Sequence, residues 1–72
     1  MFDIREFGER LRQARKDNDM TMEQVQANVF VSQGTISRYE NGLTYPSIER
    51  VYELAKLYGC SIDWLCRMED EI

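Results

Sequence analysis

Residues 31–46, VSQGTISRYENGLTYP, carry signals for both ends of a short helix. Ser32 is a typical helix N-cap, because its hydroxyl can accept a hydrogen bond from a free backbone N–H of the first turn. Asn41 and Gly42 are typical of a helix end, because both tolerate a left-handed backbone. We therefore expect a short helix over residues 33–40, the third of the chain.

The two sides of this third helix differ in chemistry. At 100° per residue, Ile36 and Tyr39 fall on one side, which should face the protein. The opposite side carries small or hydrogen-bonding residues, namely Gln33, Gly34, Ser37 and Arg38. Arg pairs with guanine and Gln with adenine in the major groove of DNA. The pattern fits either DNA readout or an ordinary solvated surface.

Capping residues and apolar spacing predict four further helices around the third one. Thr21 and Gln24 form a T-x-x-Q capping box, so the second helix should begin at Met22. The expected helices cover about residues 3–18, 22–29, 33–40, 47–58 and 62–67. The connection before the third helix is only about three residues, which is typical of a helix-turn-helix.

The expected fold class is all-α, a compact five-helix bundle in a single domain over residues 1–72. Helices 1, 4 and 5 should supply its core, with the third helix projecting from it. The apolar stripes that support this prediction are Phe7, Leu11 and Ala14, then Val51, Leu54, Ala55 and Tyr58, then Ile62 and Leu65.

Composition places the chain among small soluble domains. It has 72 residues, of which 43% are hydrophobic and 31% charged. The net charge of −4 disfavours a nucleic-acid partner. The acidic excess, however, is concentrated in residues 47–72, which contain three basic and six acidic residues. With no apolar run near the roughly 18 residues of a membrane helix and a charged N-terminus, we expect a cytoplasmic protein without membrane contact.

The residues needed for catalysis or metal binding are scarce. The chain has two cysteines, Cys60 and Cys66, and no histidine. A zinc site takes about four such ligands, so no metal and no cofactor are expected. A nucleophile paired with a base cannot be assembled either, and we therefore expect that the protein is not an enzyme.

Residues 21–65 resemble the phage-repressor-like helix-turn-helix domains, the Xre family of Cro/cI type, and the resemblance extends back through RLRQARKD to about residue 7. The shared features are S-x-x-x-I-S-x-Y-E-N-G from Ser32 to Gly42, Pro46 six residues after Glu40, and LAKLYGCSIDWL. The resemblance implies a lambda-repressor-like DNA-binding domain whose third helix enters the major groove. It also implies a repressor that binds a palindromic operator as a homodimer.

The resemblance further implies roles for particular residues. Gln33, Gly34 and Arg38 correspond to positions that meet base edges in the family. Thr35 and Ser37 flank them as base or phosphate contacts. The loop positions that meet the phosphate backbone are Asn41, Thr44 and Tyr45. Arg15 and Glu40 match a pair that forms a buried, structural salt bridge in several members.

Three positions depart from the family pattern. Met22 replaces a Gln that binds phosphate, and Met22 cannot make that contact. Gln26 replaces a small Ala, so we expect the packing of the second helix on the third to shift. Phe30 replaces a Gly just before the turn. A bulky residue adopts positive φ only at a cost, so we expect the turn geometry to differ.

The sequence is consistent with two functions. The first is a sequence-specific transcriptional regulator, in which Trp64, Leu65, Met68 and Ile72 offer apolar surface for dimerisation. The second is a protein-binding helix-turn-helix domain of anti-repressor or antitoxin kind, with weak or no DNA binding. Its protein partner would be held by exposed apolar side chains, for which the candidates are Phe30, Leu43, Tyr45, Trp64 and Met68.

Overall fold

The computed structural model describes residues 1–68, and every regular element within that range is an α-helix. The helices α1 to α5 span Ile4–Asp17, Met22–Val29, Gln33–Glu40, Ile48–Tyr58 and Ile62–Cys66. The all-α fold class with five helices is therefore confirmed. The helices α1 and α4 begin one residue later than expected, because Asp3 and Ser47 are N-caps with extended backbone.

Each helix begins with a side-chain oxygen that accepts a backbone N–H of the first turn. The capping residues are Asp3, Thr21, Ser32, Ser47 and Ser61. In the capping box, the backbone N–H of Gln24 donates to Thr21 Oγ1 over 3.1 Å. The Thr21 amide in turn donates to Gln24 Oε1 over 2.8 Å. Each such cap contributes about 1 kcal/mol, and together they set where these short helices start.

The core draws on all five helices. Its buried apolar side chains are Phe7, Leu11, Ala14, Val25, Val29, Ile36, Tyr39, Val51, Leu54, Ala55, Tyr58 and Leu65. The expectation that helices 1, 4 and 5 supply the core was therefore too narrow. The helices α2 and α3 bury Val25, Val29, Ile36 and Tyr39 in it, so α3 lies against the body and does not project from it.

A glycine sets the position of α3 against α1. A methyl group on Gly8 would lie 2.5 Å from the carbonyl oxygen of Glu40 and 2.6 Å from that of Tyr39. No side chain fits in that space, so the backbone of α1 touches the C-terminal end of α3 directly. This contact holds one end of α3 and leaves the outer side of the helix open.

The apolar surface near the C-terminus is smaller than expected. Leu65 is fully buried, so it belongs to the core and offers no surface for dimerisation. Trp64 is partly buried beneath the guanidinium of Arg10, which lies 4.8 Å from its ring centroid. Met68 is 49% exposed, and Ile72 lies outside the described residues. Within residues 1–68, no helix has both the length and the apolar character needed to cross a membrane.

Candidate nucleic-acid interface

The turn between α2 and α3 is tight and begins at Phe30. This residue adopts the left-handed conformation, with φ 57° and ψ 38°, and its amide donates to Gln26 O over 2.9 Å. The expectation of a different turn geometry was therefore wrong, because Phe30 takes the conformation that glycine would favour. The Arg50 guanidinium donates to the free carbonyl of Val29 over 3.0 Å and completes this helix end.

The two residues of α2 that depart from the family pattern lie in different environments. Met22 is partly buried and packs against the core. Gln26 is exposed, so its larger side chain does not lie between α2 and α3. The expected shift in the packing of these two helices therefore has no cause at Gln26.

The outer face of α3 is open to solvent. Gln33, Gly34 and Arg38 are exposed and Ser37 is partly exposed. On the opposite face Ile36 is 2% exposed, and its burial fixes which way the helix is turned. The hydrogen-bonding side chains therefore share one accessible surface, as helical spacing predicts.

Hydrogen bonds among Ser32, Thr35 and Arg38 order the first half of this surface. The Thr35 amide donates to Ser32 Oγ over 3.1 Å, and the two hydroxyl oxygens lie 2.8 Å apart. Arg38 Nη2 donates to Thr35 Oγ1 over 3.0 Å. The guanidinium thus lies back along α3 over Gly34, where a methyl group would stand 3.7 Å from Arg38 Nη1.

The loop after α3 presents a second set of polar groups. Asn41 is exposed, and its side-chain amide donates to Ser37 O over 2.8 Å. Thr44 is partly exposed and Tyr45 is 69% exposed. The ring of Tyr45 lies 6.0 Å from that of Phe2, so the N-terminus flanks this loop.

A buried carboxylate holds the C-terminal end of α3. Both Glu40 oxygens accept from Arg15, at 2.7 Å from Nε and 3.0 Å from Nη2. The hydrogen bonds to Glu40 raise the pKa of Arg15 above its ordinary value, although burial opposes them. Arg12 Nε lies 3.4 Å from the same carboxylate. Glu40 is the only charged residue of the described chain in the core. Because Arg12 and Arg15 belong to α1 and Glu40 belongs to α3, this ion-pair cluster (Arg12, Arg15 and Glu40) joins the two helices.

Sequence reasoning overlooked two arginines of α1 that border the loop. Arg12 Nη2 donates to Asn41 Oδ1 over 3.0 Å, which orients that amide. Arg5 is exposed, and its Cα would lie 2.9 Å from a methyl group on Gly42, whose φ is +70°. Helical spacing alone gives no sign of this contact between helices, since it does not show where α1 crosses α3.

The two cysteines give this surface no chemistry. The side chains of Cys60 and Cys66 are both partly buried. Burial raises the pKa of the Cys60 thiol above its ordinary value, which keeps it protonated at neutral pH. Within the described range, no cluster of three or more potential ligands is arranged to hold a metal ion.

Comparison with known proteins assigns this chain to a family. A family model described as "Helix-turn-helix" matches residues 11–65. The chain is 36% identical over 67 residues to the HTH-type transcriptional activator BcrR of Enterococcus faecalis, covering 93% of this chain and 33% of that protein. It is also 36% identical over 56 residues to the cryptic phage CTXphi transcriptional repressor RstR of Vibrio cholerae, covering 78% of this chain and 50% of that protein.

A further relative and a solved structure agree with this placement. The uncharacterized HTH-type transcriptional regulator YobD of Bacillus subtilis (strain 168) is 32% identical over 63 residues, covering 88% of this chain and 56% of that protein. The chain thus spans between a third and about half of the length of these relatives. The BldD DNA-binding domain of S. venezulae has the same fold, with a TM-score of 0.76 at 23% identity over 88% of this chain and 94% of that one.

Proposed function

Since this chain belongs to the helix-turn-helix family, we propose that it is a sequence-specific DNA-binding transcriptional regulator that inserts α3 into the major groove. The observation that carries the proposal is the exposed face of α3, where Gln33 and Arg38 stand opposite a buried face. Arg38 reads guanine and Gln33 reads adenine, each through two hydrogen bonds. Gly34 lets the helix approach the groove closely, and Thr35 and Ser37 flank these contacts.

Phosphate contacts in the proposed complex come from the loop and from α1. Asn41, Thr44 and Tyr45 meet the backbone after α3. Arg5 and Arg12 border the same loop and bring positive charge to a chain that is acidic overall. Because few cations face this side, we expect affinity to fall only gently with salt, since the slope scales with the phosphates neutralised.

The proposed regulator acts as a repressor and binds a palindromic operator as a homodimer. Two copies of α3 read a longer site than one, and a two-fold dimer matches a palindrome. Repression requires only that the operator be occupied, and one relative is named a transcriptional repressor. Sedimentation at tens of micromolar tests the dimer, and a mass that stays monomeric at every concentration contradicts it.

The experiment that tests the DNA reading is selection of bound fragments from a random duplex pool, at low and at moderate salt. Wild-type protein should enrich a palindromic motif, and Arg38→Ala should lose discrimination at one base pair of each half-site by roughly 1–3 kcal/mol. Lys56→Ala removes the same charge from the exposed side of α4 and is the matched control. No enrichment at either salt by the wild-type protein would contradict the proposal.

A second candidate is a protein-binding helix-turn-helix domain with weak or no DNA binding. It is favoured by exposed apolar side chains around the turn and the loop, with Phe30 83%, Leu43 72% and Tyr45 69% exposed. Large apolar groups in solvent mark interaction sites when they are contiguous. Arg38→Ala separates the two candidates, because it weakens DNA binding and relaxes base discrimination, whereas a protein complex formed through the C-terminal face stays intact.

A further inference from the structure

We infer that Thr35 is a positioning residue for Arg38, holding its guanidinium on the exposed face of α3 so that it reads one base with high discrimination. The inference rests on the proposed function and adds to it a residue that determines specificity. The observation is the chain of contacts from Ser32 Oγ to Thr35 Oγ1, at 2.8 Å, and from Thr35 Oγ1 to Arg38 Nη2, at 3.0 Å. Ser32 and Thr35 thus form a hydroxyl pair.

The hydroxyl pair holds Arg38 without neutralising it. Within residues 1–68, Arg38 makes no ion pair, and its side-chain partner is the neutral Thr35 hydroxyl. A guanidinium has five N–H donors, and this contact uses one of them. The others stay available for the two acceptors of a guanine edge, and the full positive charge remains to face DNA.

Thr35 itself is fixed by its neighbours. Its amide and its hydroxyl both bind Ser32 Oγ, so its oxygen has one orientation relative to the helix start. Gly34 leaves the space above the helix open, because even a methyl group there would stand 3.7 Å from the Arg38 guanidinium. The arrangement thus needs a hydroxyl three residues before Arg38 and a small residue four before it.

An ordered Arg38 improves discrimination for a physical reason. A free arginine side chain has many rotamers, which it loses on binding, and it can reach several acceptors. An arginine already held near its bound position loses less freedom and reaches fewer wrong partners. In this arrangement the Thr35 oxygen acts through Arg38, and its loss is felt only where Arg38 is present.

The test compares Thr35→Val, which replaces the hydroxyl by a methyl group of similar size, with Thr35→Ser, which retains it. Each is made in the wild-type and in the Arg38→Ala background, and affinity is measured on the selected duplex and on its single-base variants. Thr35→Val should weaken binding about threefold to tenfold, the equivalent of one hydrogen bond. It should also reduce the preference for one base at the base pair that Arg38 contacts. Thr35→Ser should bind as wild type does.

In the Arg38→Ala background, Thr35→Val should change affinity less than about twofold, because sites that act as a unit are not additive. An equal loss in both backgrounds would overturn the positioning role and make Thr35 a direct contact. Thermal unfolding of each variant separates a loss of fold from a loss of readout.

A second measurement needs no DNA. NMR relaxation of the Arg38 Nε–H group in the free protein should show a lower order parameter in Thr35→Val than in wild type or Thr35→Ser. An unchanged order parameter overturns the positioning role, whatever the DNA result. A wild-type protein that selects no duplex overturns the proposed function instead, so the two failures are distinguishable.

Discussion

At its N-terminal end, α3 is ordered by two neutral hydroxyl groups and one arginine that face solvent. At its C-terminal end, it is held by the carboxylate of Glu40, whose side chain is 1% exposed and lies between two arginines of α1. The first set of contacts lies within one helix. The second set joins two helices, so it decides where α3 sits on the domain.

The two ends of α3 therefore have different roles: the buried end positions the helix, and in the proposed function the exposed end reads the bases. Charged groups inside a protein cost much free energy when one partner is removed, whereas exposed polar groups cost little. The buried end therefore tolerates few changes. The exposed end can change its side chains, and with them the base sequence that it reads, while the fold persists.

The largest effect is expected at the buried end. Glu40→Gln removes the charge but keeps the size, and it leaves Arg15 with no anion. We expect the free energy of unfolding to fall by roughly 3–5 kcal/mol, as for other broken buried pairs. Urea denaturation followed by circular dichroism measures it. Glu49→Gln on the exposed side of α4 is the control and should stay within about 0.5 kcal/mol of wild type.

Arg12→Ala provides a milder change at the same end, should Glu40→Gln fail to fold. The Arg12 side chain is 39% exposed and lies 3.4 Å from Glu40, so this variant should lose at most about 1 kcal/mol. A loss at Arg12 as large as that for Arg15→Ala would mean that the two arginines hold Glu40 equally. That result would contradict the assignment of the pair to Arg15.

Substitutions at two glycines, one near each end of α3, should have smaller effects on stability. Gly8→Ala places a methyl group 2.5 Å from the Glu40 carbonyl oxygen, which is backbone and yields only if the helices move apart. We expect a loss of about 1–3 kcal/mol. Gly34→Ala meets no atom closer than 3.7 Å and should gain up to about 1 kcal/mol from helix propensity. If both variants were stabilised, α1 and α3 would not be in close contact.

The types and spacing of neighbouring residues were enough to predict the helix starts and the outward face of α3. The caps Thr21 and Ser32 lie where residue type and spacing place them. The outward face of α3 followed from helical periodicity, because the side chains of an exposed helix divide between two sides. These features depend on neighbours within four residues, which a sequence displays directly.

The contacts between helices could not be predicted in the same way. The ion pair of Arg15 with Glu40 spans 25 residues and was indicated by family resemblance, not by spacing. Gly8, Arg5 and Arg12 matter because of where α1 crosses α3, and no local pattern records that crossing. The error at Phe30 arose because steric preference was weighed without the Arg50 contact that completes the turn.

The smallest effect is expected at the turn that leads into α3. Phe30 holds φ 57° with a side chain that is 83% exposed, so its ring contributes little packing to set against its backbone cost. Phe30→Gly should raise the free energy of unfolding by roughly 0.5–1 kcal/mol, because the relief of 1–2 kcal/mol is partly offset by a more flexible unfolded chain.

Phe30→Ala separates the backbone from the ring. It keeps Cβ, and with it the backbone cost, but removes the ring, so its stability should stay within about 0.5 kcal/mol of wild type. A gain for Gly but not for Ala assigns the cost to the left-handed backbone. A loss for both would show that the exposed ring packs on the domain after all. Neither change touches the Glu40 ion-pair cluster, so the duplex selected by Phe30→Gly should match the one selected by wild type. That result would mean that the contacts at the buried end of α3, and not the turn, determine the position of the helix.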